Sequence, residues 1–250
     1  FRVRISTRQE LSAVEVGWLG RSLRLPLRKE GDRYRGGLLL GTQAHEQDPG
    51  TYWITVWARN NGSLLLRRKK VRIRKRDFFA QRLTVPEESL VLTSSQLQRY
   101  KREKREISEV LSSTRQKHQP SHLFAWPAQG EISSEYGLRR ILNGEPRSPH
   151  RGLDLAIPPE TPVLATHQGK VALTGEFLFE GKAVLIDHGL GVVSLYCHLR
   201  SVLVEQGQRV HRKEVIGLSG STGRTTGPHL HFAISVLGNM VNPRPLLPSR

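Results

Sequence analysis

Two short stretches of the chain carry side chains that could hold a metal ion. His150-Arg151-Gly152-Leu153-Asp154 sets an imidazole and a carboxylate four residues apart, and Gly227-Pro228-His229-Leu230-His231 sets two imidazoles two residues apart. In an extended strand, residues i and i+2 face the same way, so His229 and His231 are expected to aim into one pocket. Pro149 and Gly152 interrupt the first stretch and Pro158-Pro159 follow it. That disfavours a helix and points to a short strand or turn from which His150 and Asp154 converge. Two histidines and an aspartate suit zinc and leave a fourth position for water, the pattern of a catalytic site rather than a closed structural one. No His-Glu-x-x-His helix supplies a glutamate base. A histidine beyond the ligand set has a suitable pKa for proton transfer.

The elements that must position these groups follow from periodicity. From residue 122 onward short apolar runs alternate with glycines and prolines: Thr161–Ala165, Gly169–Leu173, Ala183–Asp187, Val192–His198 and Val215–Ser219. This predicts a mostly antiparallel sheet with almost no helix. Gly217, Gly220, Gly223 and Gly227 are expected to permit tight turns beside the site. They lack the Gly-Lys-Ser/Thr ending of a phosphate-binding loop.

Residues 1–76 also alternate apolar and polar, at Phe1–Ile5, Val14–Trp18, Tyr52–Trp57 and Val71–Ile73, with turn signals such as Asp48-Pro49-Gly50 and Asn60-Asn61-Gly62 between them. Short strands at this spacing predict a β-sandwich, and Asp48–Tyr52 before an alternating strand resembles the late hairpin of an immunoglobulin-like domain. Residues 77–121 read as a linker. Within it, Thr93-Ser94-Ser95-Gln96 has capping-box spacing, which predicts a helix over about 94–112. Its expected inward stripe is Leu97, Tyr100, Lys104, Ile107 and Leu111. The polar run Ser112–Gln119 is expected to be a flexible joint. The division is therefore 1–76, 77–121 and 122–250. The fold class is mainly β, with an N-terminal sandwich, one linker helix and a C-terminal antiparallel sheet.

With Glu131–Arg139, Leu195-Tyr196-Cys197-His198-Leu199 and Gly217–Gly223 in view, roughly residues 122–247 resemble the lysostaphin-type (LytM-like) zinc metalloendopeptidases. The ordered motifs His-x-x-x-Asp, Tyr-x-His and His-x-His carry the resemblance. It implies an open groove on a curved sheet, with His150, Asp154 and His231 as ligands of one zinc ion. It also implies His198 and His229 as catalytic histidines, one acting on the proton of a metal-activated water and the other steadying the oxyanion. The substrate implied is the peptide cross-link of bacterial peptidoglycan, with a D-amino acid bond or a glycine bridge as the alternatives. A non-enzymatic activator of another hydrolase is the rival reading, although such relatives generally lack a site residue and none is missing here. Arg139 and Asn143 are candidates for substrate contact or for loop bracing. Tyr196 joins them because period two places it on the His198 face, with Cys197 opposite and packed. His45, His118, His122, His167, His188 and His211 are expected to be structural or solvent-facing, with His188 in a turn.

The 250 residues are 37% apolar, contain one cysteine and carry a formal net charge of +17. One cysteine excludes an internal disulfide, and no apolar run approaches the roughly 20 residues that span a bilayer. The chain begins at Phe1, so a preceding segment is expected to have been removed; the family resemblance implies the periplasm or cell envelope as the site of action. Arg67–Arg76 is densely basic and could touch an anionic envelope surface. The alternative is a terminal strand with outward cations. No motif for specific nucleic-acid binding accompanies it. A monomer is expected.

Overall fold

A computed structural model describes residues 1–60, 62–84, 91–114 and 124–249. The readings of Asn61, His118, His122 and residues 115–119 of the polar joint lie outside the described residues.

The chain runs through β1 (Arg2–Thr7), β2 (Ala13–Trp18), β3 (Arg21–Arg24), β4 (Arg28–Glu30), β5 (Arg33–Leu39), β6 (Gly50–Asn60), β7 (Ser63–Ile73) and β8 (Ala80–Leu83). The helix α1 (Ser94–Ser112) follows. Then come β9 (Glu131–Ser134), β10 (Arg139–Leu142), β11 (Glu145–Arg147), β12 (Leu153–Ala156), β13 (Pro162–Leu164) and β14 (Gly169–Phe177). The last strands are β15 (Gly181–Gly189), β16 (Val192–Val202), β17 (Arg209–Val210), β18 (Val215–Ser219), β19 (Leu230–Val236) and β20 (Asn239–Val241). The fold is mainly β with one α-helix among the described residues, as the alternation predicts.

The N-terminal part forms a three-stranded sheet, β1-β5-β4, and a four-stranded sheet, β3-β2-β6-β7. Their inward residues share one core: Leu38 and Leu39 from the first, Val14, Val16, Leu23, Ile54 and Ala58 from the second. The C-terminal part is a ten-stranded sheet with the path β17-β14-β15-β16-β19-β12-β9. Along its central strands the side chains alternate between two clusters. Val184, Ile186, Tyr196, Phe232 and Ile234 join the main core, whereas Leu185, Val193, Leu195, Cys197 and Ala233 form a second cluster with Ile107 of α1.

The helix starts where the capping box predicts. Thr93 accepts from the Gln96 N–H, and the Gln96 side chain accepts from the Thr93 N–H. The inward stripe is rotated from the expected one: Leu97 and Lys104 are exposed, and Glu103 and Ile107 are the buried residues. A buried acid is tolerated there because it is satisfied. Glu103 takes the Leu178 N–H at 2.8 Å and the Arg99 guanidinium at 2.6 Å. Periodicity reports apolar positions only, so it cannot register an acid recruited by a backbone donor of another element.

The stretch read as a linker is partly built in, since β8 pairs with β10 in parallel. Near it, loop 41–46 meets the C-terminal part. The Tyr136 hydroxyl accepts from the Ala44 N–H and donates to the Met240 carbonyl, at 2.8 and 2.7 Å. His45 Nε2 lies 2.9 Å from the Gly137 carbonyl, and Arg21 reaches the Leu237 carbonyl.

His188 is not a turn residue. It is buried in β15, with Nδ1 2.8 Å from the Gln168 carbonyl and Nε2 2.8 Å from Ser194 Oγ. Burial pushes its pKa down to about 4 from an ordinary 6.5. The unfolded chain therefore takes up a proton between pH 6.5 and 4 that the folded chain refuses. Folding stability should fall as pH drops through that window and level off below it, by on the order of 3 kcal/mol from this residue. Urea midpoints of metal-free protein at pH 7 and pH 4.5 test this. His188→Gln should show a smaller acid loss than the unmodified chain, and an equal loss would refute it.

Candidate metal centre

The ligand geometry is set by strand register. Asp154 on β12 lies directly across from His231 on β19, so their side chains share a face. His231 Nδ1 lies 2.7 Å from Asp154 Oδ1. His150 precedes β12 in a loop clamped to residues 137–138: its carbonyl accepts from the Gly137 N–H at 2.8 Å and its N–H donates to Leu138 at 2.9 Å. His150 Nδ1 lies 2.9 Å from the Glu135 carbonyl, which fixes the tautomer. Its Nε2 is left facing Asp154 Oδ1 at 2.9 Å and His231 Nδ1 at 3.1 Å. Gly152 permits this approach, because a Cβ there would lie 2.5 Å from the Phe232 carbonyl and 2.7 Å from the His231 ring.

One potential ligand atom from each of His150, Asp154 and His231 lies within 4.8 Å of the others. Two imidazole nitrogens and a carboxylate oxygen fit zinc as a three-ligand site with a position to spare. Burial disfavours ionised Asp154, but its contacts with His150 and His231 outweigh that and hold the carboxyl well below the usual carboxylate range. Burial lowers the pKa of His231, partly offset by Asp154. Both residues are thus kept in the deprotonated form that a metal requires.

The two remaining histidines face the same place. His198 and His229 have ring centroids 4.8 Å apart, and the His198 ring lies 6.1 Å from that of His231. His198 Nδ1 donates to the Thr222 carbonyl at 2.9 Å, and His229 Nδ1 to the Gly227 carbonyl at 2.9 Å. Each therefore turns a basic Nε2 towards the centre, and His229 Nε2 lies 3.8 Å from Asp154 Oδ1. Burial pushes His198 down to about 4, against its Thr222 hydrogen bond, so the ring is neutral above that pH. Gly223 seats the carbonyl partner, since a Cβ there would run into the Gly181 backbone.

The structure corrects the reading of Tyr196. Tyr196 is not a substrate contact. It is fully buried, its hydroxyl sits 2.8 Å from Thr166 Oγ1 and 3.0 Å from Ser194 Oγ, and its ring packs on Phe232. Strict alternation fails because β16 shifts register opposite β15 just at 197–198, and His198 has φ +63. That left-handed residue costs about 1 kcal/mol or more, and the bulge brings His198 to the Cys197 side of the sheet. Cys197 is buried in the second cluster, and burial raises its thiol pKa well above the ordinary value, so it is packed and unreactive. Asn143, with φ +50, and Gly144, with φ +83, link β10 to β11 in a two-residue turn. Asn143 is thus a turn residue, which favours the bracing alternative.

Arg140, not Arg139, reaches the centre. Its Nη2 lies 3.6 Å from Asp154 Oδ2, and alternation along β10 sends Arg139 the other way. No signal in the dipeptide could have separated them without the strand register.

Residues 148–243 match the profile of Peptidase family M23. Residues 148–243 are an M23 domain. Peptidoglycan DD-endopeptidase ShyA of Vibrio cholerae is 45% identical over 112 residues, covering 44% of this chain and 26% of that protein. DD-carboxypeptidase/endopeptidase Mpg of Neisseria meningitidis is 44% identical over 112 residues, 45% of this chain and 26% of that protein. The chain thus spans about a quarter of the length of these curated relatives. A crystal structure described as a peptidase M23 from Pseudomonas aeruginosa superposes with a TM-score of 0.71 at 26% identity, covering 97% of this chain and 91% of that one. The likeness to that structure extends through the N-terminal sheets as well as the M23 domain. Among the described residues no helix is long and apolar enough to cross a membrane.

Proposed function

We propose that the chain is a zinc-dependent endopeptidase that hydrolyses peptide cross-links of bacterial peptidoglycan outside the cytoplasm. The observation that carries this reading is the juxtaposition of a three-residue ligand set with two spare imidazoles, His198 and His229, whose rings are oriented by backbone carbonyls. Zinc held by His150, Asp154 and His231 would supply Lewis acidity, polarising an amide carbonyl and making water nucleophilic near neutral pH. Nε2 of one spare histidine accepts the proton of the attacking water and delivers it to the leaving amine. The other, once its ring is the imidazolium and carries a proton on Nε2 as well as on Nδ1, donates that Nε2–H to the carbonyl oxygen as charge develops on it. Arg140 holds the outer oxygen of Asp154 and so keeps the ligand carboxylate oriented. The divisions 1–76, 77–121 and 122–250 remain our proposed domains, and contact with an anionic envelope surface through Arg67–Arg76 our proposed second partner.

The names of ShyA and Mpg favour a D-amino acid cross-link over a glycine bridge. Product analysis on defined muropeptides tests this. With zinc, D,D-cross-linked dimers should yield monomers, while glycine-bridged dimers stay intact. Release of nothing from either substrate would leave the non-enzymatic activator as the better account.

A further inference from the structure

The outer face of the four-stranded sheet is exposed along β7 and at the two ends of β6, while Thr55 between them is buried. β7 pairs with β6 and forms the edge of that sheet. The register sets Arg59 opposite Leu64, Trp57 opposite Leu66, Thr55 opposite Arg68, Trp53 opposite Lys70 and Thr51 opposite Arg72. Directly opposed residues share a face. These pairs face outward, because the alternate set, with Tyr52, Ile54, Val56, Val71 and Ile73, packs into the core. On the outer face Leu64 is 64% exposed, Trp53 46% and Leu66 44%, while Leu65, opposite Ala58, belongs to the other face. Lys70 Nζ lies 5.1 Å from the Trp53 ring, and Arg59, Arg68 and Arg72 are exposed. Glu15 of β2 is the one acidic side chain that these strands place there, and it lies across from Arg24.

Cations on an edge strand can be explained as protection against pairing with another chain. That leaves two exposed leucines on this face, Leu64 and Leu66, unexplained beside Trp53. A nucleic acid or an acidic glycan would be met by cations and flat aromatic rings, to which an aliphatic tip adds nothing. Leucines at the hairpin end, tryptophan next and arginine and lysine around them are the side chains of a bilayer interface: acyl chains take the leucines, the headgroup level takes tryptophan, and lipid phosphates take the cations. We propose that the outer face of the β6–β7 hairpin is a docking surface for an anionic phospholipid bilayer, holding the M23 domain beside the membrane. The proposal sharpens, and rests on, the anionic-surface reading of Arg67–Arg76, and it moves the contact to the outward residues of both strands.

Co-sedimentation of the full chain with vesicles tests it. Phosphatidylglycerol/phosphatidylcholine vesicles should bind the protein and pure phosphatidylcholine vesicles should not. The double variant Arg68→Glu/Lys70→Glu should bind at least ~30-fold more weakly. Leu64→Ser/Leu66→Ser should bind about tenfold more weakly, through lost apolar burial alone. Tryptophan fluorescence of the unmodified chain should be quenched by brominated lipid in the anionic vesicles. Absence of quenching, indifference to lipid charge, or undiminished binding by the leucine variant would overturn the proposal. The last outcome, with equal binding to soluble double-stranded DNA, would assign the face to polyanions in general. Cleavage of soluble muropeptides, assayed in parallel, should be the same in both variants as in the unmodified chain. Failure of that cleavage in all three would sink the peptidase reading without touching the vesicle result.

Discussion

Replacing His150 or His231 with alanine is expected to strip the metal centre and abolish muropeptide cleavage together. Each residue supplies one of three donors, and the remaining pair would have to hold the ion with two positions open. Disturbing only the partner of a ligand costs roughly 10- to 100-fold in affinity or activity, so loss of the ligand itself should exceed that. The loss should also differ between the two sites in a revealing way. His150 is buried and tied through Nδ1 to the Glu135 carbonyl, so its removal leaves a carbonyl unpaired as well as a gap. His231 sits in register between Asp154 and Cys197 on the sheet itself, where the strand pairing survives truncation. Zinc content by atomic emission and product release by mass spectrometry, on protein checked by circular dichroism, are the measurements. Cleavage retained by a variant that carries no zinc would end the assignment.

Changing His198 or His229 to alanine should separate the two properties. Neither ring contributes to the three-atom cluster, so zinc content should stay at one per chain. Cleavage should fall by ~10²- to 10⁴-fold, the usual worth of a positioned proton-transfer group. The double variant should be little worse than the poorer single one, because groups that serve one step are not additive. A double loss equal to the product of the two would show independent roles. Unchanged kcat/KM in either single variant would remove that histidine from the chemistry.

Much of this centre could be read from the chain because its spacing is local. His229 and His231 obey period two, and the gap from His150 to Asp154 is short enough for one loop and a strand start. The capping box at Thr93 is equally local, and it marks the start of α1 correctly. What escaped was set by register and by distant partners. Tyr196 and His198 follow the same period, yet the bulge at 197–198 puts them on different faces, and nothing in Leu-Tyr-Cys-His-Leu announces a left-handed residue. Arg139 and Arg140 are equivalent until β10 is laid against β8 and β11. Glu103 replaces Lys104 on the buried side of α1 because a backbone donor at Leu178 is waiting for it, some seventy residues further on.

The contacts of Tyr136 and Gly137 carry a last consequence. The segment 135–138 supplies the carbonyl that orients His150, and it is itself gripped by Ala44 and His45 from the loop between β5 and β6 and by Met240 from the last hairpin. The seam between the two parts is therefore a brace for the first ligand. This constrains modular exchange: a chimera that grafts the C-terminal part onto a foreign N-terminal unit inherits the ligands but not the grip that aims one of them.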